Sequence, residues 1–261
     1  MYRRVLVPPS APRAAVVLAH GFGEHTHLLS WELAADAFVE AGFVVAGFDY
    51  RGHGRSPGRR GHIARWQDLR DDFREFRADI ASAHAGVPLV TVGLSLGSIV
   101  VINDAMDHPE GLHGVIAAAA PTGEIKMSKL AASLAGGLSR IAPLFPLRPS
   151  LRLGSLSRDE VIGERYLADP LFHQRATARG LHEGLKAIQL LRSRAAELTA
   201  PLLMLHGDAD GIAPADGTFF KSAGSVDKTY RLFGGAKHNL FIETNRAEIF
   251  GAMIDWINRR A

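Results

Sequence analysis

A serine lies between two glycines at residues 93–97, which read G-L-S-L-G with Ser95 at the centre. The apolar run Leu89–Val92 precedes this pentapeptide, and an apolar segment with helical spacing follows it. In the G-x-S-x-G pattern, a tight turn from strand to helix exposes the serine hydroxyl, and glycines flank it because a Cβ would crowd the turn. The pentapeptide alone fits an ordinary strand–loop–helix junction equally well, so the interpretation of Ser95 as a nucleophile depends on the rest of the chain.

A serine nucleophile needs a base that accepts its proton and a carboxylate that orients the base. After a G-x-S-x-G turn, the acid and then the histidine follow along the chain. Acidic residues come directly after the predicted strand 201–205, and His238 lies in a glycine-containing loop after the predicted strand 228–233. Parallel strands leave the sheet at these positions, on the edge where open α/β proteins build their sites. We therefore predict His238 as the base, while Asp208 and Asp210 remain alternatives for the acid.

Backbone N–H groups are expected to stabilise the negative charge that develops on a carbonyl oxygen attacked by Ser95. One should belong to Leu96, the residue after the nucleophile, and the other to the loop after the first central strand. That loop begins with His20, and we assign the second donor to Phe22. His20 itself is predicted to hold the loop. No set of His, Asp and Glu residues has the spacing of metal ligands, so we predict no metal and no cofactor.

The elements that must hold these residues alternate along the chain. A short edge strand is predicted near residues 2–7, and Asp49 and Arg51 are predicted to form a buried pair or a loop brace. Helical patterns separate the following buried strands, and a short helix is predicted at 214–223. This alternation predicts an α/β fold with a mostly parallel sheet and helices on both faces. The other predicted strands lie at 14–19, 43–48, 87–93, 114–120, 201–205 and 228–233.

The alternation stops between residues 122 and 198, where we find helices and loops but no convincing strand. We predict a core domain of residues 1–121 and 199–261, with a helical cap at 122–198 inserted after the fourth main strand. Such a cap helix can lie on a lipid surface or pack its apolar stripe on the core, and both interpretations stay open. The stripe repeats every three or four residues and has basic flanks; it consists of Met127, Leu130, Leu134, Leu138, Ile141 and Leu144.

Composition excludes several classes of protein. The 261 residues, of which 47% are hydrophobic, fit one large α/β domain or a domain with an insertion. A formal charge of +3 without a dense Lys/Arg run argues against a nucleic-acid partner. The absence of cysteine excludes disulfides and thiolate metal sites. We find neither a secretory signal nor an apolar run of about 18 residues, so we expect a soluble, cytoplasmic protein.

Four segments together resemble the monoacylglycerol lipase / lysophospholipase branch of serine hydrolases with the α/β-hydrolase fold. Residues 20–25 (HGFGEH) resemble its H-G-x-G-E-H loop, and residues 49–56 (DYRGHGRS) resemble its D-x-R-G-H-G-x-S. Residues 166–171 (YLADPL) resemble its Y-x-x-D-P-L. Residues 207–210 resemble G-x-x-D, and this likeness implies that the catalytic acid is Asp210 and not Asp208.

The same resemblance implies a cap over an acyl tunnel, a preference for esters with an apolar acyl chain, and a polar head-group pocket that includes Glu24 and His25. Two features depart from the branch, the elbow and the polar pocket. The elbow reads G-L-S-L-G where G-H-S-M-G is usual. Leu28 stands where a polar residue is common, and Phe241 stands where a second histidine can occur. A less polar pocket holds a glycerol head group less well.

These observations lead to one main expectation and two alternatives. We expect Ser95 to cleave a monoacylglycerol-like ester through an acyl-enzyme, with no cofactor and with possible peripheral lipid contact through the cap. The first alternative keeps the triad but changes the substrate, as in a lysophospholipase, a general carboxylesterase or a thioesterase. The second is a non-catalytic ligand-binding protein on the same fold. The sequence does not specify an oligomeric state.

Overall fold

Nine strands are present in the computed structural model, which describes residues 1–123, 136–147, 153–213 and 217–261. Their bounds are β1 (Arg3–Leu6), β2 (Ala14–Ala19), β3 (Phe43–Phe48), β4 (Leu89–Leu94), β5 (Leu112–Ala118), β6 (Pro146–Leu147), β7 (Ala176–Thr177), β8 (Leu202–Gly207) and β9 (Lys228–Phe233). Seven of them form one sheet in the order β1-β3-β2-β4-β5-β8-β9. Only the edge strand β1 is antiparallel to its neighbour, so the predicted mostly parallel sheet is confirmed.

Helices cover both faces of this sheet, as the alternation predicts. Helices α1 and α8 pack on one face, and α2, α3 and α6 pack on the other. Among the described residues, 136–141 are also helical, and none of the described helices is long and apolar enough to cross a membrane. The helices are α1 (Leu29–Glu40), α2 (Trp66–Ala83), α3 (Leu96–Asp107), α4 (Leu153–Leu156), α5 (Glu160–Leu167), α6 (Ala178–Ser193), α7 (Thr218–Ser222) and α8 (Arg246–Asn258).

The central strands β2, β3 and β4 are buried along their whole length, because helices cover both faces of the sheet. This explains their continuous apolar sequences. Since β2, β4, β8 and β9 run parallel, the segments that follow them emerge at one edge of the sheet. These segments contain the loop at 20–24, Ser95, Asp210 and His238.

The segment between β5 and β8 differs in part from the prediction. Strands β6 and β7 form a separate antiparallel pair there, although no strand was predicted within 122–198. Two-residue strands are too short to produce an alternating pattern. The helix predicted at 214–223 is shorter in the structure, where α7 spans Thr218–Ser222. Most of the predicted apolar stripe, residues 124–135, lies outside the described residues, as do 214–216. The division into core and cap stays a prediction.

Candidate active site

Ser95 occupies a sharp turn between β4 and α3. Its φ angle is +53°, a region that residues with a side chain seldom adopt. A Cβ at Gly93 would lie 2.4 Å from the carbonyl carbon of Gly97, and a Cβ at Gly97 would lie 2.2 Å from the carbonyl oxygen of Ala19. Both glycines are therefore required by close approach of the backbone, which is the reason for the G-x-S-x-G spacing.

The structure brings Ser95, His238 and Asp210 into one hydrogen-bonded chain. Nδ1 of His238 donates to Oδ2 of Asp210 at 2.8 Å. The opposite ring nitrogen, Nε2, lies 3.0 Å from Oγ of Ser95, within the distance at which it accepts the hydroxyl proton. The histidine ring and the carboxylate are almost completely buried. This geometry is suited to removing the proton from Ser95.

Asp210 is the carboxylate that contacts His238, and Asp208 is not. Burial opposes ionisation of Asp210, but hydrogen bonds from His206 and His238 outweigh it and hold the pKa of Asp210 below its ordinary value. Its Oδ1 also accepts the backbone N–H groups of Ile212 and Ala213, at 2.8 and 2.9 Å. Asp210 is therefore a carboxylate anion at neutral pH, with a fixed orientation.

Two side chains near the acid have structural contacts that the sequence did not specify. Oδ1 of Asp208 accepts the N–H of Gly235, so this carboxylate fixes the turn that leads to His238. Nε2 of His206 lies 2.6 Å from the carbonyl oxygen of Ala213 and 3.2 Å from Oδ2 of Asp210. The analysis of the sequence missed His206, although its place at the end of a buried strand, two residues before the first candidate acid, was a usable signal.

The two predicted oxyanion donors lie beside Ser95. Leu96 is the first residue of α3, and its N–H therefore has no acceptor within the helix. The N–H of Phe22 donates to no protein acceptor among the described residues. The ring of Phe22 packs edge-on against His53 and His173, with centroid distances of 5.6 and 5.9 Å. These contacts fix the position of the loop that carries the N–H.

His20 holds the same loop from behind. Its Nδ1 donates to the carbonyl oxygen of Gly21 at 2.8 Å, and its Nε2 accepts the N–H of Tyr50 at 3.2 Å. Burial lowers the pKa of His20 to about 3, so the ring is neutral at neutral pH. His20 thus connects the loop after β2 to the loop after β3, in agreement with the structural role expected for it.

Glu24 is the centre of a buried hydrogen-bond network under the cavity. Its carboxylate accepts the N–H of Gly21 at 2.7 Å, the hydroxyl of Tyr166 at 2.6 Å and the side-chain N–H of Asn239 at 3.1 Å. The hydroxyl of Ser30 is a more distant donor, at 3.3 Å. Burial raises the pKa of Glu24, and the hydrogen bonds from Tyr166, Gly21 and Ser30 counteract that rise. Glu24 therefore links the loop after β2, helix α5 and the residue after His238.

His25, Asp49 and Arg51 have partners that the sequence did not indicate. Nε2 of His25 contacts Oδ1 of Asp169 at 3.0 Å, which ties the loop to the segment after α5. Of the two alternatives for Asp49 and Arg51, the buried pair is wrong, because Arg51 binds Asp72 on α2 at 2.5 and 2.6 Å. The carboxylate of Asp49 accepts backbone N–H groups instead, from residues 26 and 55, and the hydroxyl of residue 26. The side chains of Asp49 and Arg51 thus have separate partners, although only one residue lies between them.

A cavity of about 180 Å³ opens over Ser95 and His238. Most of the surface of its wall is apolar. Glu24 and Asn239 are polar lining residues that are hydrogen-bonded to each other. His25 is not among the described residues that line it. Among the described residues, no cluster of His, Asp and Glu is arranged to hold a metal ion. The lining residues are Gly21, Phe22, Glu24, Leu94, Ser95, Leu156, Tyr166, His173, Gln174, Ile212, His238 and Asn239.

A mostly parallel sheet, helices on both faces and a serine in the turn after a central strand define the class of α/β-hydrolase-fold enzymes. Residues 10–245 match the family model described as serine aminopeptidase, S33, and the chain belongs to this hydrolase family. The predicted fold and family are thereby confirmed. The family match and the relatives described next identify the chain as a lipase-like ester hydrolase.

The similar proteins are full-length matches. The chain is 32% identical over 257 residues to a monoacylglycerol lipase of Mycolicibacterium smegmatis, covering 97% of this chain and 91% of the relative. The crystal structure of the monoacylglycerol lipase of Paleococcus ferrophilus has a TM-score of 0.86 and 31% identity, covering 100% and 99% of the two chains. A soluble variant of monoglyceride lipase from Saccharomyces cerevisiae, solved with a substrate analog, has a TM-score of 0.87, 22% identity and coverage of 99% and 91%. The last likeness concerns the fold alone.

Proposed function

We propose that the protein hydrolyses a monoacylglycerol-like carboxylic ester through a triad of Ser95, His238 and Asp210. The observation that carries this proposal is the hydrogen-bonded chain of 3.0 and 2.8 Å that joins the serine hydroxyl to the imidazole and the imidazole to the carboxylate. The strained backbone at Ser95 adds support, because such strain persists where the position of a side chain matters for function.

The chemistry follows from the orientation of each group. Nε2 of His238 takes the proton of Ser95 while Oγ attacks the ester carbonyl, and Asp210 stabilises the resulting imidazolium without taking its proton. The N–H groups of Phe22 and Leu96 hold the oxyanion of the tetrahedral intermediate. The imidazolium then protonates the leaving alcohol, and an acyl group remains on Ser95. Water activated by His238 releases the fatty acid and restores the serine.

The proposed substrate has an apolar acyl chain and a small polar alcohol. The apolar wall of the cavity includes Phe22, Leu156 and Ile212, which suit an acyl chain. Glu24 lines the same cavity and provides a polar acceptor for a glycerol-like head group. The relatives from Mycolicibacterium smegmatis and Paleococcus ferrophilus, both monoacylglycerol lipases, support this choice. A direct substrate contact of His25 stays a prediction, since its ring is bound to Asp169.

We also propose that residues 122–198 form a cap that contacts lipid aggregates. Exposed apolar side chains at its outer surface support this role, because water-exposed clusters of that kind mark interaction sites. Ile141 is 88% exposed, and Leu144 and Phe145 are 45% and 50% exposed. Sedimentation with lipid vesicles tests the contact. Replacement of Ile141 and Phe145 by Ser should reduce the bound fraction, and unchanged binding would contradict this role.

The triad is tested with a chromogenic p-nitrophenyl ester. The wild type should show a burst of p-nitrophenol as the acyl-enzyme forms, and Ser95→Ala should lose the burst and at least about a thousandfold in kcat. Ser193→Ala, an exposed serine on α6, is the matched control and should behave like the wild type. Equal rates for Ser95→Ala and the wild type would rule out the triad.

The substrate class requires a separate panel. Monoacylglycerols, lysophospholipids, thioesters and simple esters with the same acyl chain should be compared by kcat/KM. We expect the monoacylglycerol to have the highest kcat/KM, because Glu24 is a polar residue in the wall of the cavity. A higher value for a lysophospholipid or a thioester would replace the proposed substrate without affecting the triad.

A further inference from the structure

Three arginines line a second cleft, outside the cavity over Ser95. Arg59 and Arg60 belong to the loop after β3, and Arg175 precedes β7. We call these three residues the arginine cleft. The cleft has a volume of about 410 Å³, and no carboxylate is among the described residues that line it. The other lining residues are Pro146, Leu147, Ala176 and Thr177.

The guanidinium groups of the arginine cleft have no acidic partner among the residues that the structure describes. Arg59 donates to the carbonyl oxygen of Leu144 at 3.2 Å, and Nη2 of Arg60 donates to the carbonyl oxygen of Gly54 at 2.6 Å. Nη1 of Arg60 is buried and has no acceptor among the described residues. Arg175 forms no ion pair within the described part of the chain. Guanidinium donors are therefore concentrated here without a carboxylate partner in the described part of the chain.

Several other arginines of the protein pair with acidic side chains. Arg65, Arg231 and Arg260 each pair with an acidic side chain at the surface. Three cations around one cleft repel one another, and an anion bound between them removes this repulsion. The sequence that follows Leu147 does not compensate the charge, because residues 148–152 read R-P-S-L-R and include no acid.

The backbone around the arginine cleft is held in place. Thr177 donates its N–H to the carbonyl oxygen of Gly61 at 3.2 Å, and a Cβ at Gly61 would lie 1.7 Å from the carbonyl oxygen of Arg175. The β6–β7 pair closes the opposite side. This close packing fixes the backbone that carries the arginines. Little backbone ordering is therefore required when a ligand binds.

We propose that the arginine cleft binds a phosphate group. Guanidinium groups match phosphate oxygens with paired N–H donors, and several of them around one cleft suit the two or more oxygens that a phosphate presents. The site is distinct from the catalytic cavity but adjacent to it, since His173 and Gln174 line that cavity and Arg175 follows them directly. The phosphate belongs to a free small molecule or to a lipid head group.

Binding is measured first with inorganic phosphate. Isothermal titration and thermal unfolding at constant ionic strength should show saturable binding and a rise in Tm with phosphate but not with chloride. The variant Arg59→Gln/Arg175→Gln removes two exposed side chains and should weaken binding about tenfold or more. Arg165→Gln/Arg259→Gln is the control, because it removes two exposed arginines elsewhere and changes the net charge equally. Arg60→Lys keeps the charge but loses the buried Nη1 donor, and it should also bind more weakly.

Vesicles distinguish the two sources of phosphate. If a lipid head group is the ligand, wild-type protein should sediment with phosphatidylglycerol vesicles more than with phosphatidylcholine vesicles, and Arg59→Gln/Arg175→Gln should lose this difference. If a free molecule is the ligand, the binding of inorganic phosphate should depend on the arginine cleft, and sedimentation with vesicles should not. Equal behaviour of Arg59→Gln/Arg175→Gln and its control in both measurements overturns the proposal.

The test is independent of the proposed catalytic function. Ser95→Ala should bind phosphate like the wild type, and Arg59→Gln/Arg175→Gln should hydrolyse a soluble short-chain ester at the wild-type rate. Failure of ester hydrolysis in the wild type would therefore contradict the triad and leave the phosphate measurements valid. Failure of phosphate binding would contradict only the arginine cleft.

Discussion

The hydroxyl of Tyr166 donates to Oε1 of Glu24 at 2.6 Å, across 142 residues of sequence. Tyr166 lies on α5, between β5 and β8, and Glu24 lies in the loop after β2. Both side chains are buried, and the same carboxylate also holds the N–H of Gly21, next to the predicted oxyanion donor. This hydrogen bond thus couples the position of α5 to that of the oxyanion loop.

Tyr166→Phe should weaken this coupling. The variant leaves the buried carboxylate of Glu24 without one of its donors, so the free energy of unfolding should fall by about 1–3 kcal/mol. The catalytic rate should fall as well, because the loop at Gly21 becomes less well fixed. Urea unfolding and ester kinetics measure the two effects. Tyr2→Phe removes a hydroxyl that contacts His27 and Arg55 far from the cavity. It should cost about 0.5–1.5 kcal/mol of unfolding free energy and leave the ester kinetics unchanged.

Gly97→Ala should damage both folding and activity. Its Cβ would lie 2.2 Å from the carbonyl oxygen of Ala19, which cannot move without displacing the loop after β2. We expect a loss of about 2–3 kcal/mol in stability and of most esterase activity. Gly184→Ala on α6 is the matched control, since its Cβ meets nothing within 4 Å. That variant should gain about 0.5–1 kcal/mol from helix propensity. Equal effects of the two substitutions would contradict the steric argument.

His206→Leu should impair catalysis by releasing Asp210. Without the donor from His206, the pKa of Asp210 should rise toward its ordinary value, and its carboxylate should be less well oriented. A hydrogen bond to a charged group is worth about 1.5–3 kcal/mol, so kcat/KM should fall about tenfold or more. His206→Gln retains a side-chain donor and should recover part of the activity, whereas equal loss in both variants would indicate a purely steric role.

Asp104 should make stability depend on pH. Burial raises the pKa of this carboxyl to about 6, against partial compensation by Arg77. Because the folded state binds the proton more strongly than the unfolded state, stability should decrease as the pH rises from about 4 through 6, and then level off. In Asp104→Asn this decrease should be absent. In the wild type it should amount to up to about 3 kcal/mol of unfolding free energy between pH 4 and 7.5. Thermal unfolding across this range measures it.

The exposed Asp71 provides the control for that experiment. Asp71→Asn changes the same charge on the neighbouring helix α2, where water solvates the carboxylate. Its unfolding curve should follow the wild type from pH 4 to 7.5. If Asp104→Asn also follows the wild type across this range, the carboxyl of Asp104 does not titrate with a raised pKa.

Local patterns predicted most of the framework. The buried strands β2, β3 and β4 were recognisable because a parallel sheet covered on both faces requires continuous apolar residues. The two-residue strands β6 and β7 carry no such pattern. The pairing of Asp49 with Arg51 was wrong because neighbouring residues on a loop can point apart, and Asp72 on α2 offered Arg51 a bidentate partner that sequence distance conceals.

The sequence by itself determined the family, the parallel sheet and the order of Ser95, Asp210 and His238 along the chain. Spacing and residue type suffice for the sheet and for the order of serine, acid and histidine, because these depend on local backbone geometry. The family and the choice of Asp210 over Asp208 came from the resemblance of four segments to known hydrolases. Only the tertiary structure decided which atoms meet: Nδ1 of His238 with Asp210, Tyr166 with Glu24, and three arginines around one cleft. These contacts join segments that are distant in sequence, and their geometry is set by the packing of helices and loops on the sheet.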